Sequence, residues 1–424
     1  LNMQLIKNAN LLVDGELKQH DVLIDGQKIA QVAETITAPT AEVFDANGAF
    51  LTNGLVDVHV HFREPGFTYK ETIASGSAAA ARGGFTTVVA MPNLNPVPDS
   101  PERVAQQVAL NAKNGVVHVA QYGAISAGLT DQTVSDIAGM SAAGAVAFSN
   151  DGKGVQTADT MLQAMTAAAS VNKPLVAHLE DDSLLHGGVM NAGATANKLQ
   201  LPGITGLAES AQLARDLVLA QATGVHYHVA HISTQTSVEL VRLAKAQGVH
   251  VTAEVSPHHL LLADSDITGD NALFKMNPPL RSQADREAVL AGLLDGTIDM
   301  VATDHAPHGT AEKAQSFKTA PLGITGIETS FQLLYTHLVK SGVMTLETLI
   351  HRMLVAPATA FGLPAPTQIA AGETADLVLF DLAARDTIAE ADFKSLGKNT
   401  PFVGWPVYGR TMATWVDGDI VYQA

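Results

Sequence analysis

The feature that most constrains this chain is a long alternation of short apolar runs with helical patterns. Strand-like runs lie at Leu55–His61, Thr86–Met91, Val116–Tyr122, Ala145–Asn150, Leu175–His178, Val225–His231, His250–Glu254 and Ile298–Asp304. Between most of them run segments with helical periodicity: Glu71–Arg82, Pro101–Lys113, Thr157–Val171, Glu209–Ala222, Thr234–Ala246 and Gly326–Val339. Strands that are apolar throughout, rather than alternating, are strands buried on both faces. Helices between them imply parallel βαβ units. Eight such strands are the number that closes a TIM (β/α)8 barrel. The connection after Glu254 is long and carries a helical stretch at Asp285–Leu294.

The two ends read differently. Short apolar runs (Leu5–Ile6, Leu11–Val13, Val22–Ile24, Lys28–Val32) are punctuated by Asp14-Gly15, Asp25-Gly26 and Asn47-Gly48, which are hairpin signals. Ala375–Phe380, Thr411–Val416 and Ile420–Tyr422, with Asp417-Gly418, repeat the pattern. The expected organisation is a barrel over 53–361 and a small β-sandwich-like domain built from 1–52 and 362–424, the chain returning through the Gly/Pro-rich stretch Gly362–Pro366. A length of 424 residues accommodates both, since a barrel takes about 250.

Composition narrows the chemistry. The net charge of −17 argues against nucleic acid as a partner, because phosphate binding needs a basic surface. The absence of cysteine removes disulfides, thiolate metal sites and a Cys nucleophile, so a transition metal would rest on His and carboxylate. No apolar stretch is long enough to span a membrane and the first ten residues carry no signal core, so a cytoplasmic protein is expected.

Asp57-Val58-His59-Val60-His61 places two imidazoles on one face at the C-terminal end of the first barrel strand, where barrel active sites are built. Alone, such a pair is equally well two polar residues beside a loop. Asp151, His178, His231 and Asp304, however, each sit at the tip of another apolar run. Six such groups at one rim are costly unless they share a ligand, which points to a metal site. A second His-x-His, His226 and His228, falls out of phase with His231 and is expected to face helices or the strand start. His258 and His259 carry only a weak signal beside the rim, and the polar stretch 309–318 could be a lid or an ordinary loop.

The segment Asp57 to Gly66, DVHVHFREPG, resembles the signature of the dihydroorotase family of metal-dependent amidohydrolases. MPN (91–93), FSNDG (148–152), AHLED (177–181), HVAHIST (228–234), MNPPLR (276–281), ATDHAPH (302–308), APATAFGL (356–363) and ETADLVLFD (373–381) follow in the family's order. The resemblance implies two zinc ions per subunit. His59 and His61 would bind the first and His178 and His231 the second, with Asp151 and a hydroxide bridging them. Asp304 would be both ligand and catalytic acid/base. Some relatives bridge the metals with a carbamylated lysine, which keeps Lys153 as an alternative to Asp151. The family form near this bridge is often Ser-Asp-Asp-Gly, whereas this chain has Asn150 in the middle. His61, Arg63, Asn93, Asn277, His308 and the backbone at Leu322 and Gly323 are the implied substrate contacts, Arg63 as a fork for a carboxylate. The implied reaction is the interconversion of N-carbamoyl-L-aspartate and L-dihydroorotate in pyrimidine synthesis; the alternative is a dihydropyrimidinase-, hydantoinase- or allantoinase-like hydrolase. A homodimer, and docking onto aspartate carbamoyltransferase, are the associations the family suggests.

Overall fold

The computed structural model describes residues 3–424. Eight parallel strands, Leu55–Val60, Phe85–Ala90, His118–Ala124, Ala145–Ser149, Leu175–Ala177, Tyr227–Val229, Val251–Val255 and Met300–Val301, lie side by side in chain order. His61 N donates to His305 O at 2.9 Å, bringing the last strand's end against the first and nearly closing the barrel. Leu55–Val60 and Phe85–Ala90 are buried at every residue, as strands covered on both faces must be.

The helices begin where the sequence supplies caps. Thr72, Ser100, Thr157, Thr234 and Ser282 each accept a backbone N–H of the helix that follows them. Such a hydroxyl satisfies a donor that the helix itself cannot. One expected helix is altered. The pattern at Gly326–Val339 forms an α-helix only over Ser330–Leu334 and widens to a π turn over Tyr335–Val339.

Residues from both ends form one eight-stranded sheet. Phe50–Asn53 pairs antiparallel with Leu377–Phe380, joining the N-terminal strands Met3–Val13, Glu16–Asp25 and Lys28–Ala33 to the C-terminal strands Leu377–Thr387, Pro406–Val416 and Asp419–Gln423. Ile6, Leu51, Leu377 and Trp415 anchor its core. Gly54 alone separates this sheet from the first barrel strand. A Cβ there would lie 2.0 Å from Thr86 Oγ1, so the close approach admits only glycine. The sheet does not contain all of the C-terminal chain. Ile388 and Phe393–Phe402 leave it and pack at the barrel's mouth with Met276, Phe317 and Ile324.

Two barrel strands end sooner than their apolar runs suggest. Val225–His231 is a strand only over Tyr227–Val229, and Ile298–Asp304 only over Met300–Val301. His231 has φ 29° and Asp304 φ 49°, left-handed values that take the chain out of the sheet at those residues. This corrects the reading of His228. Tyr227 points out to the helices, its hydroxyl donating to Asp216, so His228 points into the barrel. His231 reaches the same interior because its backbone leaves the strand's alternation.

Candidate active site

The C-terminal ends of the strands gather the six predicted ligands. His59, His61, Asp151 and Asp304 offer ligand atoms within 4.8 Å of one another, and Asp151, His178 and His231 form a second such group sharing Asp151. His59 Nε2 lies 3.4 Å from Asp151 and 3.2 Å from Asp304. His61 Nε2 lies 3.0 Å from Asp304 Oδ1 and 3.3 Å from Asp151 Oδ2. His178 Nδ1 and His231 Nε2 stand 3.3 and 3.4 Å from Asp151 Oδ1 and 3.0 Å from each other. Lys153 is exposed, so the structure puts Asp151, not Lys153, at the shared position. Asn150 turns away from the cluster, its amide bonded to Ser126.

The donor set fits divalent cations. His59 Nε2 and Asp151 Oδ1 are buried and without a hydrogen-bond partner, although they face each other across the cluster. His59 Nδ1 bonds Glu254 Oε1 at 2.5 Å. That carboxylate accepts from Nδ1 and so aims Nε2 at the cluster, where a cation would take its lone pair in place of a proton. Burial alone would raise the Asp151 and Asp304 pKa values. The surrounding imidazoles outweigh it and hold both carboxyls well below their usual range, so both stand as anions. Burial likewise opposes, and Asp151, Glu254 and Asp304 outweigh that opposition, to raise His59 above an ordinary histidine.

Above the cluster lies a cavity of about 190 Å³ whose floor includes His61, Asp151, His178 and Asp304. All the expected substrate contacts line it: Arg63, Asn93, Asn277, His308, Leu322 and Gly323 as well as His61. A larger cavity, about 440 Å³, opens beside Arg82, Asp386 and Arg410. It lacks the buried histidines, so volume does not mark the site.

Arg63 is buried, with φ 63°, and Nε donates to Pro307 O at 3.2 Å. Among the described residues no carboxylate oxygen approaches its guanidinium within 4.0 Å. Burial lowers its pKa to about 10, which still leaves it cationic. Its Nη2 lies 3.4 Å from His308 Nε2. His308 is neutral, its pKa pushed down to about 2 by burial and then by Arg63 and Lys70. Nε2 donates to Leu322 O at 2.8 Å, and Nδ1 accepts from Lys70 at 3.1 Å. Asn93 accepts from His61 Nδ1 at 2.8 Å, orienting a ligand as well as lining the cavity. Asn277 donates its amide to Glu180, which also lies 3.4 Å from His178 Nε2. The stretch 309–318 is anchored from beneath, Lys313 being buried and donating to Lys275 O and Pro321 O at 2.8 Å each.

Three residues of this site have no role assigned by the sequence motifs, although Glu180 and His228 lie within two of them. Glu254 lies between His59 and His228, accepting from both, and also accepts from His231 N at 3.2 Å. His228, dismissed on phase, is thereby part of the site's support. Glu180 holds His178 and Asn277 together. The signal for Glu254 was present: a lone carboxylate inside the apolar run VTAEV must find partners if it is buried. His258 is buried with Nε2 unpartnered, while His259 is fixed by Ser256 and Pro278.

Residues 48–237 match the family model described as dihydro-orotase-like. The chain is 56% identical over 422 residues to a dihydroorotase of Ligilactobacillus salivarius, covering 99% of this chain and 98% of that protein. It is 54% identical over 423 residues to a dihydroorotase of Enterococcus faecalis, covering 100% and 98%. Among solved structures, the L-hydantoinase (dihydropyrimidinase) of Arthrobacter aurescens superposes with a TM-score of 0.88 at 26% identity, covering 99% of this chain and 96% of that one. The dihydropyrimidinase of Brevibacillus agri shares the fold, with a TM-score of 0.86 at 22% identity, covering 99% and 95%. No described helix is long and apolar enough to cross a membrane.

Proposed function

The chain belongs to the dihydroorotase family of cyclic-amide hydrolases, and from that premise we propose that it interconverts N-carbamoyl-L-aspartate and L-dihydroorotate in pyrimidine synthesis. The observation that carries the choice of substrate is Arg63. A buried cation without a carboxylate partner is costly unless a ligand supplies one. Dihydroorotate bears a ring carboxylate, whereas dihydropyrimidine and hydantoin rings have none. Arg63, Asn93, Asn277 and His308 would hold that carboxylate and the ring edge, with the backbone at Leu322 and Gly323 against the ring amide.

His59, His61, Asp151, His178, His231 and Asp304 would hold two zinc ions, Asp151 being common to both. Cations bound there would polarise the ring carbonyl and lower the pKa of water. In ring opening, water oxygen joins the amide carbon as Asp304 takes its proton. Asp304 then delivers that proton to the ring nitrogen as the C–N bond breaks, giving N-carbamoyl-L-aspartate. Ring closure runs the same transfers in reverse. His305 does not compete for this role, since it turns away to Glu71 at 3.1 Å.

The proposal extends to the assembly. Residues 53–361 would form the catalytic unit of a cytoplasmic homodimer, carried by a domain of 1–52 and 362–424, with aspartate carbamoyltransferase as a candidate partner. Light scattering of the enzyme, alone and mixed with that transferase, tests both associations. The activity is tested by following L-dihydroorotate and dihydrouracil side by side, with and without chelator. Chelator-sensitive turnover of dihydroorotate is expected; turnover of dihydrouracil alone would move the chain to the dihydropyrimidinase reading.

A further inference from the structure

The substrate-facing residues His308, Leu322 and Gly323 belong to one loop that runs on from Asp304, beyond the last barrel strand, and returns at Ile324. Its two ends meet at Ala306 N, which donates to Ile324 O at 2.9 Å. A residue from far along the chain is inserted at this junction. Asn399 is 4% exposed, and its side-chain amide bridges both ends of the loop. Oδ1 accepts from His308 N at 3.0 Å, while Nδ2 donates to Ala306 O at 3.1 Å and to Gly323 O at 3.0 Å. Its backbone carbonyl accepts from Thr325 N at 2.8 Å.

These bonds use both hydrogens of the amide and one side of its oxygen, a combination an asparagine side chain can provide and an aspartate cannot. The segment that delivers it is held on the barrel. Ser395 Oγ donates to Glu71 Oε2 at 2.5 Å and Leu396 N to Glu71 Oε1 at 3.0 Å. Gly397 lies so close that a Cβ would stand 2.5 Å from Pro307 Cβ, next to the carbonyl that Arg63 uses. The C-terminal chain is therefore fitted against the wall of the cavity opposite the metal ligands.

We propose that Asn399 is a positioning residue for substrate binding, stapling the base of the 306–323 loop so that His308, Leu322 and Gly323 are held in place. This rests on the reading of that loop as the substrate-facing wall. Asn399 touches neither the metal ligands nor the cavity above them, so its loss should weaken substrate binding and leave metal binding intact.

The test compares wild type with Asn399→Ala and the milder Asn399→Ser in the full-length, zinc-loaded enzyme. Gly397→Ala serves as an independent push on the same segment. Removing three buried hydrogen bonds should raise KM for L-dihydroorotate about tenfold or more, with kcat changed far less and zinc content unchanged. Asn399→Ser should fall between, and Gly397→Ala should repeat the KM effect. Amide exchange should quicken in 306–325 and nowhere else in the barrel, a readout that needs no substrate. If dihydroorotate is not the substrate, the exchange result still stands while the function assay fails, so the two readings are separable. A lowered Tm with unchanged KM and unchanged local exchange overturns the proposal, as does a loss of zinc equal to the loss of activity. Should Asn399→Ala not fold, Asn399→Ser and Gly397→Ala decide by the same criteria.

Discussion

Replacing Arg63 by methionine keeps most of the side chain's apolar stem and removes the charge. Its effect can be bounded from the structure. Arg63 is buried, and among the described residues no carboxylate oxygen lies within 4.0 Å of its guanidinium; Asp304, Glu312, Asp151 and Glu71 act on it only from farther away. A bound carboxylate at about 4 Å would interact by about 4 kcal/mol at an effective dielectric of about 20. Truncating one member of a buried charge pair costs about 2–5 kcal/mol, which brackets that figure. With about 1.4 kcal/mol per decade, kcat/KM for dihydroorotate should fall about 30- to 5,000-fold. The assay is a side-by-side measurement on L-dihydroorotate and dihydrouracil. Any residual turnover of dihydrouracil, which offers no carboxylate, should change little. Two results would refute the reasoning: an unchanged kcat/KM for dihydroorotate, or an equal loss on both substrates, which would mark Arg63 as a support of the fold.

Four other perturbations test separate links. Asp304→Asn should retain the fold and lose about 10²- to 10⁴-fold in kcat, the usual worth of a positioned acid/base; near-normal turnover would remove it from that role. Lys153→Met should leave zinc content and activity unchanged, since Lys153 is exposed; loss of metal would restore a lysine bridge. Glu254→Gln should weaken zinc retention about 10- to 100-fold, read as the rate of release to a chelator, because one amide cannot accept from His59, His228 and His231 N together. At the seam between barrel and sheet, His118 bonds Asp376 at 3.1 Å and lies 3.8 Å from Asp417. The bond to Asp376 is the main cause that raises its pKa, burial opposing. A raised folded-state pKa gives stability that is fully present below the unfolded value and is lost as pH rises through the folded one. His118→Ala should therefore lower Tm near pH 5.5 and make no difference near pH 9, and an equal loss at both would point to packing instead.

The barrel was legible because parallel strands covered on both faces are mostly apolar, and eight such runs alternate with helical patterns along the chain. The helices were legible from their periodic apolar patterns, and the structure adds the caps that start them, Thr72, Ser100, Thr157 and Thr234 among them. The ends of two strands were not. Period-two alternation assumes extended backbone, and at His231 and Asp304 the backbone is left-handed. Counting from His231 therefore put His228 on the wrong face. Asn399 had no periodic signature at all, for its partners lie 76 and 93 residues away and meet it only through tertiary packing.

The positions where local rules failed are the positions where the site is made. Arg63, His231 and Asp304 each adopt positive φ, which for residues with a Cβ costs on the order of 1–3 kcal/mol and survives only when neighbours enforce it. The enforcing bonds are visible. Glu254 takes the His231 N–H and the His59 Nδ1 hydrogen on one oxygen, so a single carboxylate fixes a strained turn and the tautomer of a ligand on a distant strand. Asp57 accepts from Thr303 N and from Thr303 Oγ1, holding the residue just before Asp304. Pro307 O takes the Arg63 Nε hydrogen from the loop that Asn399 staples. Strand regularity gives a barrel its stability but would aim alternate side chains away from the axis. Leaving it at two rim positions turns His231 and Asp304 toward one centre, while Arg63 reaches the cavity from the loop past its strand, and the buried polar bonds around all three are what make these conformations stable.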